Sequence, residues 1–260
     1  MDDFTDAPRR LLDAYSKGTR KGYHSYPVYP EWQGQEDRDY LGASKAGDCR
    51  RKMWFTLAPE FEGEPLTDEK ACLFSDGYLL EADTRTRLQI GGLCVGSVQA
   101  GYVHPNESRV QGHIDGIVGD YARQWYVLEH KAMRAYPFSK LCGEKRGEPS
   151  PLNVMEDHPA GYILRPGTVQ ATNPQYYDQV QALIFLKHQH TIKHDGLDLG
   201  KQRCMFVARN KETGKLAVEE IPSDYEHGQA LIDRMRLVLT DYDAGRISSK
   251  DYDPTSKDWQ

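Results

Sequence analysis

No run of apolar residues in this chain approaches the roughly 20 that a bilayer-spanning helix needs; stretches such as 182–186 are far shorter. No apolar segment follows the acidic opening Met1-Asp2-Asp3-Phe4-Thr5-Asp6 either, so a secretory signal is not expected. Cysteine is scarce and scattered. Cys49, Cys72, Cys94, Cys142 and Cys204 are odd in number and contain no Cys-x-x-Cys pair, which excludes a disulfide framework and fits a reducing cytoplasm. An excess of positive charge is also lacking. Lys and Arg number 33 against 39 Asp and Glu, a net charge of −6, which argues against a protein that coats nucleic acid over its whole surface. A local basic groove remains compatible with that balance. Lys45, Arg50, Arg51 and Lys52 stand against Asp48, and Arg134, Lys140, Lys145 and Arg146 against Glu144, although solvated charged faces give the same runs. Internal repeats and a linker are absent, so the 260 residues read as one α/β domain with helical additions.

Punctuation along the chain suggests the elements. A short helix is expected over about residues 7–17, followed by an aromatic loop with Tyr23, Tyr26, Tyr29 and Trp32. Ser44 is a candidate N-cap for a helix ending near Leu57, residues 59–65 read as a loop, and Thr67 caps a longer helix with Asp68 and Glu69 in its first turn. Gly77 falls on the same face as Glu81 and is expected to admit a close backbone approach. Residues 93–103, 109–119 and 124–133 read as a three-stranded meander, and 134–172 as a long polar insertion or flap rich in Gly and Pro. Asn173-Pro174 opens a helix running to about residue 195, and 204–210 with 215–221 form a hairpin. Ser223 and Glu226 make a capping box for a last helix ended by Gly245, whose Leu231, Met235, Val238 and Leu239 belong to the core.

The chemistry concentrates in Gly112-His113-Ile114-Asp115-Gly116 and Tyr126-Val127-Leu128-Glu129-His130-Lys131. Side chains alternate along a strand, so Glu129 and Lys131 share a face with Val127 while Leu128 and His130 face the other way. The step from Asp115 to Glu129 leaves room for a turn near Gly119-Asp120 and an antiparallel return that sets the two carboxylates side by side. Adjacent carboxylates repel, and a divalent cation is the natural third party.

This pattern resembles the PD-(D/E)XK nuclease superfamily, in its RecB-like and lambda-type phage exonuclease branch. Four stretches carry the resemblance in family order: residues 44–54 with Ser44, Cys49, Arg51 and Lys52; Gly77-Tyr78-Leu79-Leu80-Glu81; the Asp115 and Glu129-His130-Lys131 pair; and Tyr176-Tyr177-Asp178-Gln179-Val180-Gln181. Ile114 stands where the eponymous proline would precede Asp115. The resemblance implies a restriction-endonuclease-like core, a central mixed β-sheet flanked by α-helices, with an N-terminal helical addition. It divides the chain into an N-terminal helix and aromatic loop (1–43), the nuclease domain (44–247, with the 134–172 insertion or flap) and a polar tail (248–260). It further implies a Mg2+- or Mn2+-dependent DNA exonuclease of recombination or repair. Glu81, Asp115, Glu129 and the backbone carbonyl of His130 would be metal ligands, with Lys131 and Gln179 as further catalytic groups.

By the same resemblance Ser44, Arg50, Arg51, Lys52 and Tyr177 would meet DNA, and a single-strand annealing protein or a helicase would be a partner. Some relatives hold an iron–sulfur cluster with one upstream and three C-terminal cysteines. Only Cys204 lies beyond the four stretches and none follows it, so no such cluster is expected and Cys49 is read as a buried helix cysteine. On a helix, Tyr177 and Gln181 share a face that Gln179 does not, and the resemblance favours Gln179. His188, His190 and His194 have no cysteine or acid nearby to complete a zinc site and are better placed as cations near a helix end. Three other readings use the same residues. They are a structure- or site-specific endonuclease of the same fold, a catalytically silent DNA-binding module, and a small cation-binding protein, whose ligands would normally sit in one loop.

Overall fold

The computed structural model describes residues 6–21, 39–58, 67–119, 125–144, 152–194 and 202–251. The aromatic loop, the 59–65 loop, Asp120, Lys145, Arg146, the end of the helix expected near residue 195 and the tail beyond Asp251 lie outside them.

A seven-stranded mixed sheet organises the molecule, in the order β2-β5-β6-β9-β10-β8-β7: β2 (Cys94–Gly96), β5 (Gly116–Gly119), β6 (Trp125–Met133), β9 (Arg203–Asn210), β10 (Leu216–Pro222), β8 (Gly161–Leu164) and β7 (Val154–His158). β6 pairs parallel with β9 and antiparallel with β5, so it lies inside the sheet rather than at an edge. Its alternation decides what each face receives. Val127 and Met133 enter one core with Phe206, Ala208 and Ala217, roofed by α6 (Pro174–His194) and α7 (Tyr225–Asp243). Leu128 enters the other with Met205, Val207 and Val218, covered by α1 (Asp6–Lys21) and α3 (Asp68–Ile90) through Leu11, Leu12, Tyr15 and Leu88. This is the expected layout of a central mixed sheet flanked by helices, with an added N-terminal helix. A second sheet, β1-β4-β3, comprises β1 (Leu41–Gly42), β4 (Glu107–His113) and β3 (Gly101–His104).

Several local expectations are corrected. The stretch 93–103 is two strands in different sheets, because the chain turns sharply between them with Ser97 at φ 48° and Gln99 at φ 53°. The stretch 109–119 likewise breaks between β4 and β5, leaving Asp115 at the junction. Instead of continuous loop, residues 134–172 include α4 (Ala135–Cys142), the β7–β8 hairpin at the far sheet edge and the short α5 (Thr168–Thr172).

Caps differ too. A 3-10 turn covers Ala43–Lys45, and α2 (Arg50–Leu57) is capped by Cys49, whose Sγ accepts from the Lys52 amide at 3.4 Å, rather than by Ser44. Cys49 is half-buried, a capping group more than a core one. α7 is capped by Asp224, accepting from the His227 amide at 3.0 Å, rather than by Ser223. A Cβ at Gly77 would meet nothing within 4 Å, so no backbone packs against it.

The close approach lies elsewhere, where α1 crosses the end of α3. A Cβ on Gly91 would fall 1.9 Å from the Ala14 carbonyl oxygen, and one on Gly18 1.8 Å from that of Arg87. Gly91→Ala must therefore push the helices apart, and overpacking of this kind costs about 1–3 kcal/mol. A lower urea midpoint with unchanged slope is the expected result; a variant as stable as the parent would show that the crossing is looser than this.

Candidate active site

The register of β5 on β6 places the acids. Gly116 is opposite Leu128, so Asp115, one residue earlier, falls beside Glu129, and its amide donates to the Leu128 carbonyl at 3.2 Å. Asp115 Oδ2 also accepts from the His130 amide at 2.7 Å, which fixes the carboxylate against the strand that carries its partner. Glu129 is 1% exposed and Lys131 lies two residues on along the same face. Lys131 Nζ donates to Glu129 Oε1 at 2.5 Å and to Gln179 Oε1 at 3.1 Å, while Gln179 Nε2 donates to Glu129 Oε1 at 2.7 Å. Acid, amine and amide thus close a three-membered ring between β6 and α6. The Tyr176 ring covers the ammonium, 5.3 Å from its centroid to Nζ, a cation–π contact.

Glu81 arrives from α3, on the other side of the sheet. Its Oε1 accepts from Gln99 Nε2 at 2.9 Å, and the same Gln99 nitrogen donates to Asp115 Oδ1 at 3.3 Å. Arg85, one helical turn on, bonds Glu81 and donates to the Asp115 carbonyl at 3.3 Å. Glu81 therefore reaches Asp115 through a glutamine and a guanidinium. Gln99 and Arg85 were not singled out in the sequence: Arg85 is signalled only by its four-residue spacing from Glu81, and Gln99 by nothing local. The left-handed backbone of Gln99 is costly for a residue with a Cβ, and such strain tends to persist at functional sites.

Burial sets the charge states. It pushes the Glu129 carboxyl up to about 7, with the neighbouring Asp115 adding to the rise and Lys131 opposing it. Asp115 is also raised by burial, against the pull of Lys131, the His130 amide, Arg85 and Gln99. Burial would lower Lys131, yet Glu129 and Asp115 outweigh it and hold the ammonium above its ordinary value. His130 points to the opposite face, its Nε2 3.1 Å from Thr84 Oγ1, and burial with Arg209, Arg85 and Lys131 nearby pushes it down to about 3, so the ring is neutral at neutral pH.

These features test whether a divalent cation fits. Glu129 Oε2 is buried with no hydrogen-bond partner among the described residues, and a second raised carboxyl stands beside it. Two hard oxygen donors short of positive charge suit Mg2+ or Mn2+. Asp115 and Glu129 fit that role directly, whereas Glu81 is engaged by Arg85 and Gln99. Among the described residues no three His, Cys, Asp or Glu side chains already converge on one point.

The other sequence candidates lie apart from this cluster. Arg50 bonds Ser249 Oγ at 2.5 Å and, through its amide, Asp251 at 2.8 Å; Arg51 donates to the Ser248 carbonyl at 3.1 Å. Residues 248–251 are thus docked on α2. Lys52 pairs with Asp48 at 2.7 Å, and Ser44 is exposed on the 3-10 turn. Tyr177 stacks on His227 at 5.6 Å, and Gln181 is buried, bonding the Pro222 carbonyl and the Asp224 amide. His188 meets Tyr225 and His190 meets Tyr102, while the His194 side chain lies outside the described residues. Among the described residues no helix is long and apolar enough to cross a membrane.

No protein-family model matches the chain, and no curated protein sequence matches it significantly. Solved structures similar to it include LHK-Exo in complex with dAMP, 18% identical at a TM-score of 0.46 over 80% of this chain and 90% of that one. A second is the alkaline exonuclease LHK-Exo from Laribacter hongkongensis, 17% identical at a TM-score of 0.47, with the same coverage. A third is SSO0001, 12% identical at 0.40, covering 88% of this chain and 85% of that one.

The raised Glu129 predicts a pH dependence. A carboxyl whose folded value, about 7, lies above its ordinary 4.5 favours the fold below the lower value, and that advantage is lost as pH rises through the higher one. In EDTA, stability of the parent should fall between about pH 4.5 and 7 more steeply than that of Glu129→Gln. An equal change in unfolding free energy between pH 5 and 8 for the two proteins, measured by urea titration, would show that Glu129 does not titrate there.

Proposed function

We propose that this chain is a divalent-metal-dependent deoxyribonuclease of the PD-(D/E)XK type, acting as an exonuclease in phage or bacterial DNA recombination, repair or processing. The observation that carries the reading is the closed Glu129–Lys131–Gln179 ring with Asp115 alongside and one Glu129 oxygen left without a partner. A salt bridge on an exposed strand would account for Glu129 and Lys131 as letters. It would not account for an acid 1% exposed, held by a helix amide and incompletely satisfied.

Phosphodiester hydrolysis requires charge on the phosphate to be offset and a water to be positioned. Asp115 and Glu129, with the His130 backbone carbonyl suggested by the family resemblance, would hold the metal, and Glu81 would join them through Gln99. When bound, Mg2+ or Mn2+ would supply Lewis acidity and a more acidic water. Lys131 is protonated at neutral pH in the arrangement described, so its part is to offset negative charge on the phosphate rather than to take a proton. Gln179 holds both Glu129 and Lys131 and thereby sets the direction of the ammonium. Tyr176 shields that ammonium from water on one side.

Ser44 and Lys52 are the exposed members of the proposed DNA-contacting set, whereas Arg50 and Arg51 are half-buried and already give guanidinium donors to residues 248–251. Phosphate contacts of this kind position the duplex and make affinity salt-dependent without reading sequence.

Linear and circular duplex DNA, with Mg2+, Mn2+ or EDTA, test the reading. The expected outcome is loss of linear DNA alone, dependent on metal. Opening of the circle would indicate an endonuclease, and inertness in every metal with retained binding would indicate a silent module. Lys131→Ala should bind DNA as the parent does and cut it at least about a hundredfold more slowly, the scale of a lost positioned catalytic group. Undiminished cutting by that variant would remove Lys131 from the mechanism.

A further inference from the structure

The three acids of the cluster meet positive charge in different ways. Glu129 has the Lys131 ammonium, whereas the Asp115 side chain has amide donors alone among the described residues, Gln99 Nε2 at 3.3 Å and the His130 backbone at 2.7 Å. Glu81 has a guanidinium. Arg85 follows it by one turn of α3, the order in which an acid and a base four residues apart attract best, and each of the two is 7% exposed. A guanidinium keeps its proton inside proteins, so this charge is permanent. Burying such a pair seldom adds stability over apolar packing, and stability alone gives no reason for it here.

The fold sets where this guanidinium lies. The Arg85 stem passes over Gly116, where an added Cβ would stand 3.8 Å from Arg85 Cδ and 3.3 Å from the Gly96 carbonyl oxygen of β2. Its Nη1 then bonds Glu81 Oε1 and also donates to the Asp115 carbonyl at 3.3 Å. Gln99 reaches the same Glu81 oxygen from the sharp turn between β2 and β3, at 2.9 Å. One carboxylate oxygen thus carries two nitrogen donors, one of them charged. A divalent ion that took Glu81 as a ligand would hold it at about 2.0–2.1 Å in the case of Mg2+, beside a fixed positive charge already bonded to that carboxylate. Like charges so close oppose each other strongly where water is scarce. With its acids ionised, the cluster sets the three carboxylates of Glu81, Asp115 and Glu129 against the two cations Arg85 and Lys131, leaving one negative charge. Without Arg85 it would have two.

We propose that Arg85 is a resident cation that competes with the divalent ion for Glu81, so that the ion is held by Asp115 and Glu129 and bound more loosely than the full set of acids would allow. This rests on the metal-dependent reading above and concerns how that same site is regulated. A supporting role, in which Arg85 only holds Glu81 in place as a ligand, predicts the opposite sign: loss of the guanidinium would then weaken binding of the ion.

Titration of the full, metal-stripped chain with Mn2+ in the absence of DNA, followed by the paramagnetic resonance of the free ion, reads affinity apart from any cutting. Arg85→Met keeps an unbranched stem over Gly116 and removes the charge; thermal melting checks its fold, and Arg85→Gln takes its place should it not fold. Binding about tenfold or more tighter than in the parent is expected, from the loss of a unit charge next to a divalent one. Adding Glu81→Gln to that variant should return the affinity to that of the parent, because the gain comes from the carboxylate set free. Weaker or unchanged binding by Arg85→Met overturns the proposal, and so does a gain that survives Glu81→Gln, which would be a general effect of charge instead of competition for one ligand. Glu129→Gln separates this failure from that of the metal-dependent reading. If the parent's binding depends on Glu129 but ignores Arg85, the competition alone is wrong; if the parent shows no saturable binding, or binding indifferent to Glu129→Gln, the metal-dependent reading falls and the competition with it.

Discussion

A carboxylate buried on an interior strand is the constraint from which the rest of the site follows. Glu129 sits where solvent cannot reach it, so its charge is tolerable only through neighbours. Lys131, Gln179 and the covering Tyr176 supply part of that tolerance, and a raised Asp115 next door takes some of it away. The balance falls short, as the partnerless Glu129 oxygen records. A protein built only for stability would do better with an apolar residue in this position. The shortfall is the physical ground for reading the cluster as a place where a cation and a phosphate belong.

The strand that carries this acid also separates two environments. Glu129 and Lys131 face α6 and the larger core; Leu128 and His130 face α1 and α3. His130 spans both, since its backbone amide fixes Asp115 on one side while its neutral ring meets Thr84 on the other. Thr84 in turn receives Arg209 of β9.

Much of this was legible in the residues. Period-two alternation gave the faces of Glu129 and Lys131 correctly, because an interior strand leaves no freedom for a register slip. The helical stripe of Leu231, Met235, Val238 and Leu239 is buried as its spacing requires. Errors came where one local signal had rivals of equal strength. Ser44 and Cys49, or Ser223 and Asp224, can each cap a helix, and the choice depends on where the chain enters from the preceding element. Gly77 looked like a close-packing glycine, but the close crossing belongs to Gly18 and Gly91, which only the docking of α1 on α3 selects.

The sequence by itself determined the alternation along β6, the chemical identity of the acids and the amine, and the amphipathic helices, because these depend on residue type and short-range periodicity. The tertiary structure alone decided that Gln99, across a strained turn, joins Glu81 to Asp115, that Arg85 takes up the Glu81 carboxylate, and that residues 248–251 occupy Arg50 and Arg51. The reason is physical. Burial, charge compensation and cavity shape are properties of groups brought together through space, and separation along the chain carries no measure of them.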